Sequence, residues 1–288
     1  MCIIGSNKNK QALIEDIYEN TSGIFNQRYI IVEYISFGGM SVVFKVKDIY
    51  CEYFNENKQL VIKIPIKNLL KKDDIAAFMY SEYTFLRDLN NENIVKVYDY
   101  GIDINTDIPY IVMEYLDGSL LENINLQNLK YKDKIFIFKN LHNTIRHIHK
   151  KGIIHADITP KNITVVHNKF ITLFDFGISK RINTEKKMEL DYNQAKAYNP
   201  KYSAPEIING GKPTVESDLF SLALVLYEIF TTNLPFNINS LELEKKPLTF
   251  LNCPKQIPFI LKIWFVKNLN INPKKRTNKL SILHKVII

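Results

Sequence analysis

The pattern of apolar and polar residues changes about two fifths of the way along the chain. In residues 28–116 the apolar residues form short runs rich in β-branched and aromatic side chains, which is typical of strands. Residues 73–89 instead begin with acidic residues and continue with apolar residues at helical spacing, which predicts a helix. The predicted strands are RYIIVEYIS, VVFKVKD, LVIKIPI, IVKVYDYG and YIVMEYL, and the turn FGGMS joins the first two into a hairpin.

Helical patterns dominate after Gly118. The segment KDKIFIFKNLHNTIRHIHKKG predicts a long amphipathic helix that ends at Gly152, because glycine suits the residue that follows a helix. Two short apolar runs, ITVV and FITLF, predict a small hairpin. Further helices are predicted over residues 216–231, 257–269 and 278–288.

This order of elements predicts an α+β fold with two lobes. An antiparallel sheet lobe with one helix would be followed by a larger, mainly α-helical lobe. We place the sheet lobe at residues 28–116, the helical lobe at residues 117–288 and an N-terminal extension at residues 1–27. The polar motifs lie near the junction, so we expect the functional site in a cleft between the lobes.

The formal net charge of +8 has two interpretations. The basic groups, such as Lys71-Lys72, Lys186-Lys187 and Lys274-Lys275-Arg276, are scattered along the chain, as in a solvated surface. They could also bind anionic ligands such as nucleotide phosphates. No nucleic-acid-binding motif accompanies them.

The cysteine content and the hydropathy pattern indicate a cytoplasmic protein. Its three cysteines, Cys2, Cys51 and Cys253, are far apart and odd in number, which argues against a disulfide framework or a zinc site. The most apolar helical stretch, residues 219–230, is too short to cross a bilayer and contains Glu228. We therefore expect no membrane segment.

Three polar residues in the middle of the chain have the chemistry of a phosphoryl-transfer site. Asp157 and Asn162 lie in HADITPKN, and Asp175 lies in LFDFG. A base, an amide oxygen and a carboxylate are the groups that magnesium-assisted phosphoryl transfer needs. Each residue alone would more simply be a turn former, but the three in this order favour chemistry.

Two features of the sheet lobe could contact phosphate. Gly38 and Gly39 would let backbone amides approach phosphate oxygens closely, although many hairpins carry glycines for the turn alone. Lys63 in LVIKI could face a cleft or solvent, and Glu82 in the following helix could pair with it.

Taken in order, these motifs resemble those of protein kinases from about Arg28 to the C-terminus. ISFGGMSVVFKV resembles the glycine-rich loop, LVIK the lysine strand, HADITPKN the catalytic loop and EYTFLRDLNNENIV the helix C segment, while DFG and APE match outright. ESDLFSLALVLYEI, with Asp218, resembles the helix that anchors the catalytic loop. NPKKRT resembles the late motif in which Arg276 would pair with Glu206. The GGM form of the glycine loop is similar to bacterial serine/threonine kinases.

The resemblance implies an ATP-dependent protein kinase, by default specific for serine and threonine, that uses Mg²⁺ or Mn²⁺. Asp157 would accept the proton of the substrate hydroxyl. Lys63, fixed by Glu82, would hold the α and β phosphates, and Asn162 and Asp175 would ligate the metal.

The resemblance also implies a set of nucleotide-binding residues. Glu114 and Leu116 would form backbone hydrogen bonds to adenine. Val61 and Thr164 would lie above and below the ring, where the family usually has alanine and leucine. The implied set is Ser36, Phe37, Gly38, Gly39, Met40, Ser41, Val43, Val61, Lys63, Met113, Glu114, Leu116 and Thr164.

Several catalytic-loop positions depart from the family pattern. Ala156 replaces the usual arginine, which contacts a phosphate on the activation segment. Thr159 and Asn199 replace the usual lysine and threonine, and a contact between them could substitute for the missing pair. Lys161 could supply part of the lost positive charge. We expect a slow enzyme rather than an inactive one.

Three functions remain open at this point. An active protein kinase leads because the five residues with implied catalytic roles are all present. A pseudokinase that serves as a nucleotide-binding scaffold is second, and a small-molecule kinase of the aminoglycoside type is third. The APE segment disfavours the third because it docks peptides in the family. The protein substrate is unidentified, and regulation could come from residues 1–27, from a homodimer or from another protein.

Overall fold

The computed structural model describes residues 21–38, 41–66, 72–166, 170–182, 198–237 and 239–280. The chain divides into two compact units. The first is drawn from Met1–Asp88 and Val95–Leu116, and the second from Leu89–Ile94 and Asp117–Ile288. The short segment Leu89–Ile94 therefore belongs with the second unit, although the first unit flanks it on both sides in sequence.

A six-stranded antiparallel sheet forms the first unit, with the strand order β1-β2-β3-β4-β6-β5. In β3 every second side chain is buried, whereas β4, in the middle of the sheet, is buried along its whole length. Its helix α2 packs against β5 and β6. The elements are β1 (Ile24–Phe25), β2 (Tyr29–Phe37), β3 (Ser41–Asp48), α1 (Ile49–Tyr53), β4 (Leu60–Pro65), α2 (Lys72–Asp88), β5 (Val97–Ile102) and β6 (Pro109–Glu114).

The second unit is mainly helical. Its strands β7, β9 and β10 form a small sheet, and β8 pairs with β11. The elements are β7 (Ser119–Leu120), α3 (Tyr131–Lys150), β8 (Ile153–Ile154), β9 (Ile163–Val166), β10 (Phe170–Leu173), β11 (Lys180–Arg181), α4 (Pro205–Ile208), α5 (Val215–Thr231) and α6 (Phe259–Asn268). Short 3₁₀ turns cover Leu121–Asn123, Leu126–Asn128, Pro160–Asn162, Ser240–Glu244 and Pro273–Lys275.

Helix α5 runs through the core of the second unit. Most of its residues are buried, as expected for a helix that is apolar on nearly all sides. It begins with a capping box, in which the Thr214 hydroxyl accepts from the Ser217 N–H and the Ser217 hydroxyl accepts from the Thr214 N–H. This cap fixes the start of the helix and places Asp218 in its first turn.

The predicted elements are found with small shifts of their ends. The helix predicted over residues 73–89 spans Lys72–Asp88, and the helix predicted to end at Gly152 spans Tyr131–Lys150. Helix α1 was not predicted because five residues are too few to show a helical period. Residues 1–20 of the predicted extension, and residues 281–288 of the predicted last helix, lie outside the described residues.

Helices long and apolar enough to span a bilayer are absent from the described ranges.

Candidate active site

Lys63 and Glu82 form a buried ion pair in the first unit. Lys63 lies in the central strand β4 and Glu82 in α2, and they are 6% and 1% exposed. The Lys63 Nζ donates to both carboxylate oxygens of Glu82, at 2.7 and 2.8 Å. The solvent-facing alternative for Lys63 is therefore wrong. Because a buried ammonium needs a partner, Glu82 fixes the position of the lysine.

The residues predicted to cover the nucleotide phosphates lie where β2 ends and β3 begins. Ser36 pairs with Val43 across the two strands, and the Gly38 N–H donates to the Ser41 carbonyl at 2.7 Å. Phe37 is opposite Val42. The structure thus gathers Ser36, Phe37, Gly38, Ser41 and Val43 at one end of the hairpin. Gly39 and Met40 lie outside the described residues.

Val61 and Met113 are cross-strand neighbours on β4 and β6, and both are buried. At the end of β6, the Glu114 N–H donates to the Lys96 carbonyl at 3.0 Å, while the Glu114 carboxylate accepts from the Lys96 N–H at 2.8 Å. These bonds hold Glu114 and the residues after it. The Leu116 N–H makes no backbone hydrogen bond to a described residue.

Asp157 and Asn162 contact each other directly in the second unit. The Asn162 amide nitrogen donates to the Asp157 carbonyl at 2.9 Å and to its carboxylate at 2.8 Å. Asn162 is buried, whereas the Asp157 side chain is 14% exposed. With its nitrogen committed to Asp157, the Asn162 amide turns its oxygen away from that residue.

The loop that carries Asp157 is held by the buried carboxylate of Asp218. This carboxylate accepts from the N–H groups of His155 and Ala156 at 2.8 and 2.9 Å. It also contacts His149 Nε2 at 2.9 Å. Ala156 has a φ of +68°, a left-handed conformation that costs a non-glycine residue about 1–3 kcal/mol. The bonds from Asp218 offset this cost, so the loop keeps its shape.

His155 lies under the loop as a neutral ring. It is fully buried and packs against Phe176, with 4.6 Å between ring centroids. Burial lowers its pKa, and this effect is opposed by the carboxylates of Asp218, Asp157 and Asp175. Because the Asp157 N–H donates to His155 Nδ1 at 3.2 Å, Nε2 carries the ring proton and faces the Phe174 carbonyl at 3.3 Å.

Thr164 lies within β9, and Asp175 follows the end of β10. Asp175 follows β10 and has a φ of +63°, so a second non-glycine residue beside the loop adopts the left-handed region. Such conformations concentrate at functional sites. Thr164 lies on β9, is buried, and pairs with Leu120 of β7.

Glu206 and Arg276 form the ion pair that the sequence suggested. The Arg276 guanidinium donates to both oxygens of Glu206, at 2.5 and 2.9 Å, and its side chain is fully buried. It also donates to the carbonyls of Glu216, Asn270 and Ile271. This bidentate pair joins the APE segment to the end of the second unit.

Comparison with known families identifies the family to which this chain belongs. The model of the protein kinase domain family matches residues 29–286. The chain belongs to the protein kinase domain family.

Three proteins similar to this chain come from bacteria. The chain is 31% identical over 261 residues to a probable serine/threonine-protein kinase of Clostridium perfringens, covering 88% of this chain and 37% of that protein. It is 31% identical over 212 residues to the serine/threonine-protein kinase PrkC of Bacillus subtilis, covering 73% and 31%. It is 31% identical over 215 residues to the serine/threonine-protein kinase PknB of Mycolicibacterium smegmatis, covering 73% and 33%. The chain thus spans about a third of the length of these relatives.

One contact expected in this kinase domain is not formed. The Thr159 hydroxyl is buried and has no hydrogen-bond partner among the described residues. The Asn199 side chain instead accepts from the Lys201 N–H at 3.0 Å, in a local turn. The Thr159–Asn199 contact that we expected is therefore not formed as a hydrogen bond, because the Asn199 side chain accepts from the nearby Lys201 N–H instead.

Replacing Thr159 by valine should stabilise the kinase domain. Valine has nearly the same shape and suits the extended backbone of residue 159. It removes a buried hydroxyl that makes no hydrogen bond to a described residue, so we expect about 1 kcal/mol of added stability, or about 2–4 °C in Tm. Thermal unfolding of the purified chain measures this shift.

Thr144→Val is the matched control. Thr144 is also buried, but its hydroxyl donates to the Asn140 carbonyl at 2.8 Å. This variant should not be stabilised. A Thr159→Val protein that melts at or below the temperature of the natural chain would show that the hydroxyl has a partner in solution.

Lys161 supplies positive charge beside Asp157. Its Nζ lies 3.5 Å from the Asp157 carboxylate, with the lysine side chain 46% exposed. The suggestion that Lys161 could compensate for the lysine missing at position 159 therefore has a geometric basis.

A cavity of about 300 Å³ adjoins the catalytic loop in the second unit. Its lining includes Thr159 and Lys161 from the loop, and Lys201 and Tyr202 from the segment before APE. Glu228 of α5 also lines it and accepts from the Tyr202 hydroxyl at 2.5 Å and from Lys201 Nζ at 3.3 Å. Sequence reasoning gave Glu228 no functional role, although a carboxylate within an apolar helix signals a polar partner.

Proposed function

We propose that this chain is an ATP-dependent protein kinase that phosphorylates serine and threonine side chains of proteins. Membership of the protein kinase domain family and the names of the relatives support this function. The observation that carries the proposal is the arrangement around Asp157. Its partly exposed carboxylate is held by Asn162 and lies next to Lys161, while Asp218 fixes the loop beneath it.

The residues present fit a magnesium ion bound together with ATP phosphates. The Asn162 amide oxygen is left for a cation because its nitrogen bonds to Asp157, and Asp175 would provide a carboxylate. Mg²⁺ usually takes only one or two protein ligands beside water and substrate phosphates. Among the described residues, no group of three or more His, Cys, Asp and Glu side chains is placed to hold a metal ion.

Each side chain then has one task. Lys63, fixed by Glu82, contacts the α and β phosphates, and Asp157 accepts the proton of the acceptor hydroxyl. Lys161 adds positive charge near the transferred group, where the family usually has another lysine. Bound Mg²⁺ would neutralise charge on the phosphate oxygens. The work of the protein is positioning and electrostatic stabilisation.

Nucleotide binding is proposed for the residues gathered in the first unit. The Leu116 N–H and the Glu114 backbone would bond to adenine, and Val61 and Met113 would contact the ring. We also propose that the chain divides into a sheet lobe at residues 28–116 and a helical lobe at residues 117–288. A cytoplasmic location and a homodimer are further proposals. The free thiols of Cys51 and Cys253 support a reducing compartment.

The experiment measures the transfer of labelled γ-phosphate from ATP to a basic acceptor protein in the presence of magnesium. It compares the natural chain with the Lys63→Met variant. We expect label on the acceptor from the natural chain and a loss of about 10²–10³ in rate for Lys63→Met, because an aligned charge at the phosphates is removed. Lys58→Met, an exposed lysine in the same unit, is the control and should keep the natural rate.

Other outcomes separate the alternatives. No transfer, together with thermal stabilisation by ATP, would overturn the proposal in favour of a pseudokinase. Label on an added aminoglycoside but on no protein would favour a small-molecule kinase. Label on tyrosine would overturn the serine/threonine assignment.

A further inference from the structure

Charge is distributed unevenly along the chain. Residues 245–288 contain ten Lys and Arg residues and no Asp or Glu, whereas residues 1–244 contain 28 Lys and Arg against 30 Asp and Glu. The net positive charge of the protein therefore comes entirely from its last 44 residues. The basic groups that we described as scattered along the chain are therefore distributed less evenly than we expected.

Four large apolar side chains are exposed within this basic segment. Leu251 is 96% exposed, Phe259 75%, Ile263 53% and Phe250 37%. The rings of Phe250 and Phe259 contact each other with 5.2 Å between centroids. Ile263 follows Phe259 by one turn of α6, and Leu251 follows Phe250 in the chain. We call these four residues the apolar patch.

Lysine side chains border the apolar patch. Lys262 Nζ lies 5.8 Å from the centroid of the Phe250 ring and donates to the Cys253 carbonyl at 3.0 Å. Lys267 lies one helical turn after Ile263, on the same side of α6, and it is exposed. Lys255 is exposed in the loop between Leu251 and Phe259. Since no acidic residue follows Glu244, the segment offers these lysines no carboxylate of its own.

We propose that the apolar patch and its lysines dock on an anionic membrane surface. A nearly fully exposed leucine beside two exposed phenylalanines is costly in water and marks an interaction site. A lipid interface accepts such protruding side chains without a pocket of matching shape, and its anionic headgroups attract the surrounding lysines.

The two features act together. Apolar insertion or one cluster of lysines alone gives weak, reversible binding, whereas the two combined give a stable peripheral contact. None of these residues belongs to the candidate active site, so lipid binding and phosphoryl transfer can be tested separately.

The test is co-sedimentation of the full chain with vesicles at low and high salt. One set contains phosphatidylcholine alone, and the other contains phosphatidylcholine with phosphatidylglycerol. We expect binding to the phosphatidylglycerol vesicles only, weakened by salt. Leu251→Ser/Phe259→Ser should weaken it roughly tenfold or more, because two inserted side chains are lost. Lys255→Gln/Lys262→Gln/Lys267→Gln should weaken it by roughly fivefold for each lysine.

Phe170→Ser/Lys151→Gln is the matched control. Both residues are exposed in the same unit but lie outside the apolar patch and its lysines. This variant should bind vesicles like the natural chain, and melting temperatures should show that all variants are folded. No binding to either vesicle would overturn the proposal, and binding to polyglutamate instead would assign the face to an acidic protein. Vesicle binding unchanged in Leu251→Ser/Phe259→Ser would also overturn it.

Discussion

Replacing Asp157 by asparagine should lower the rate of phosphoryl transfer by about 10²–10⁴ and leave ATP binding unchanged. The amide has the shape of the carboxylate, and its oxygen can still accept from the Asn162 amide that now bonds to Asp157. The loop should therefore stay in place while its base is lost. Single-turnover transfer, measured beside the affinity for ATP, separates the two effects.

The control for this substitution is Glu244→Gln. Glu244 is an exposed acid of the second unit, so its replacement by an amide removes the same charge away from the catalytic loop. It should keep the natural rate. An Asp157→Asn protein with the rate of the natural chain would contradict the role of Asp157 as the base.

Replacing Asp218 by alanine should destabilise the protein by about 3–5 kcal/mol, because the carboxylate is the buried acceptor of several donors. The N–H groups of His155 and Ala156 and the Nε2 of His149 would lose their partner together. The left-handed conformation of Ala156 would lose the bond that holds it. We therefore expect lower stability and, in the folded fraction, a lower rate of transfer. Denaturant unfolding and the transfer assay measure the two.

Glu216→Ala is the matched control for Asp218. Glu216 lies two residues earlier in the first turn of α5 and is only half-buried. Its loss removes a favourable interaction with the helix dipole, worth about 0.3–1 kcal/mol. Equal destabilisation by the two substitutions would show that Asp218 acts only as a helix-terminal charge.

The sequence predicts most elements of both units because apolar residues repeat at different intervals in strands and in helices. β-branched runs predict the strands of the sheet, and helical spacing predicts α2, α3, α5 and α6. Helix α1 escapes prediction because its five residues depend on a cap, in which Asp48 accepts from the Tyr50 N–H. The two-residue strands β8 and β11 depend on pairing between distant segments, which no local pattern reveals.

In the candidate site, too, some features are predicted by the sequence and others depend on the tertiary structure. The motifs predict Asp157, Asn162, Lys63 and Glu82 as site residues. In the structure Asp157 contacts Asn162, and Lys63 contacts Glu82. The sequence could not predict that the Thr159 hydroxyl has no hydrogen-bond partner among the described residues, because Asn199 can bond either to Thr159 or to the nearby backbone. The tertiary structure selects the second arrangement. The role of Glu228 similarly depends on Tyr202, which is 26 residues away.

The most direct test of the central claim is phosphoamino-acid analysis of an acceptor protein labelled by the natural chain from γ-labelled ATP and magnesium. The same analysis is made in parallel with Asp157→Asn. The account predicts phosphoserine and phosphothreonine from the natural chain and almost no label from the variant. Equal labelling by both proteins, or no labelling by a folded natural chain that binds ATP, would contradict it.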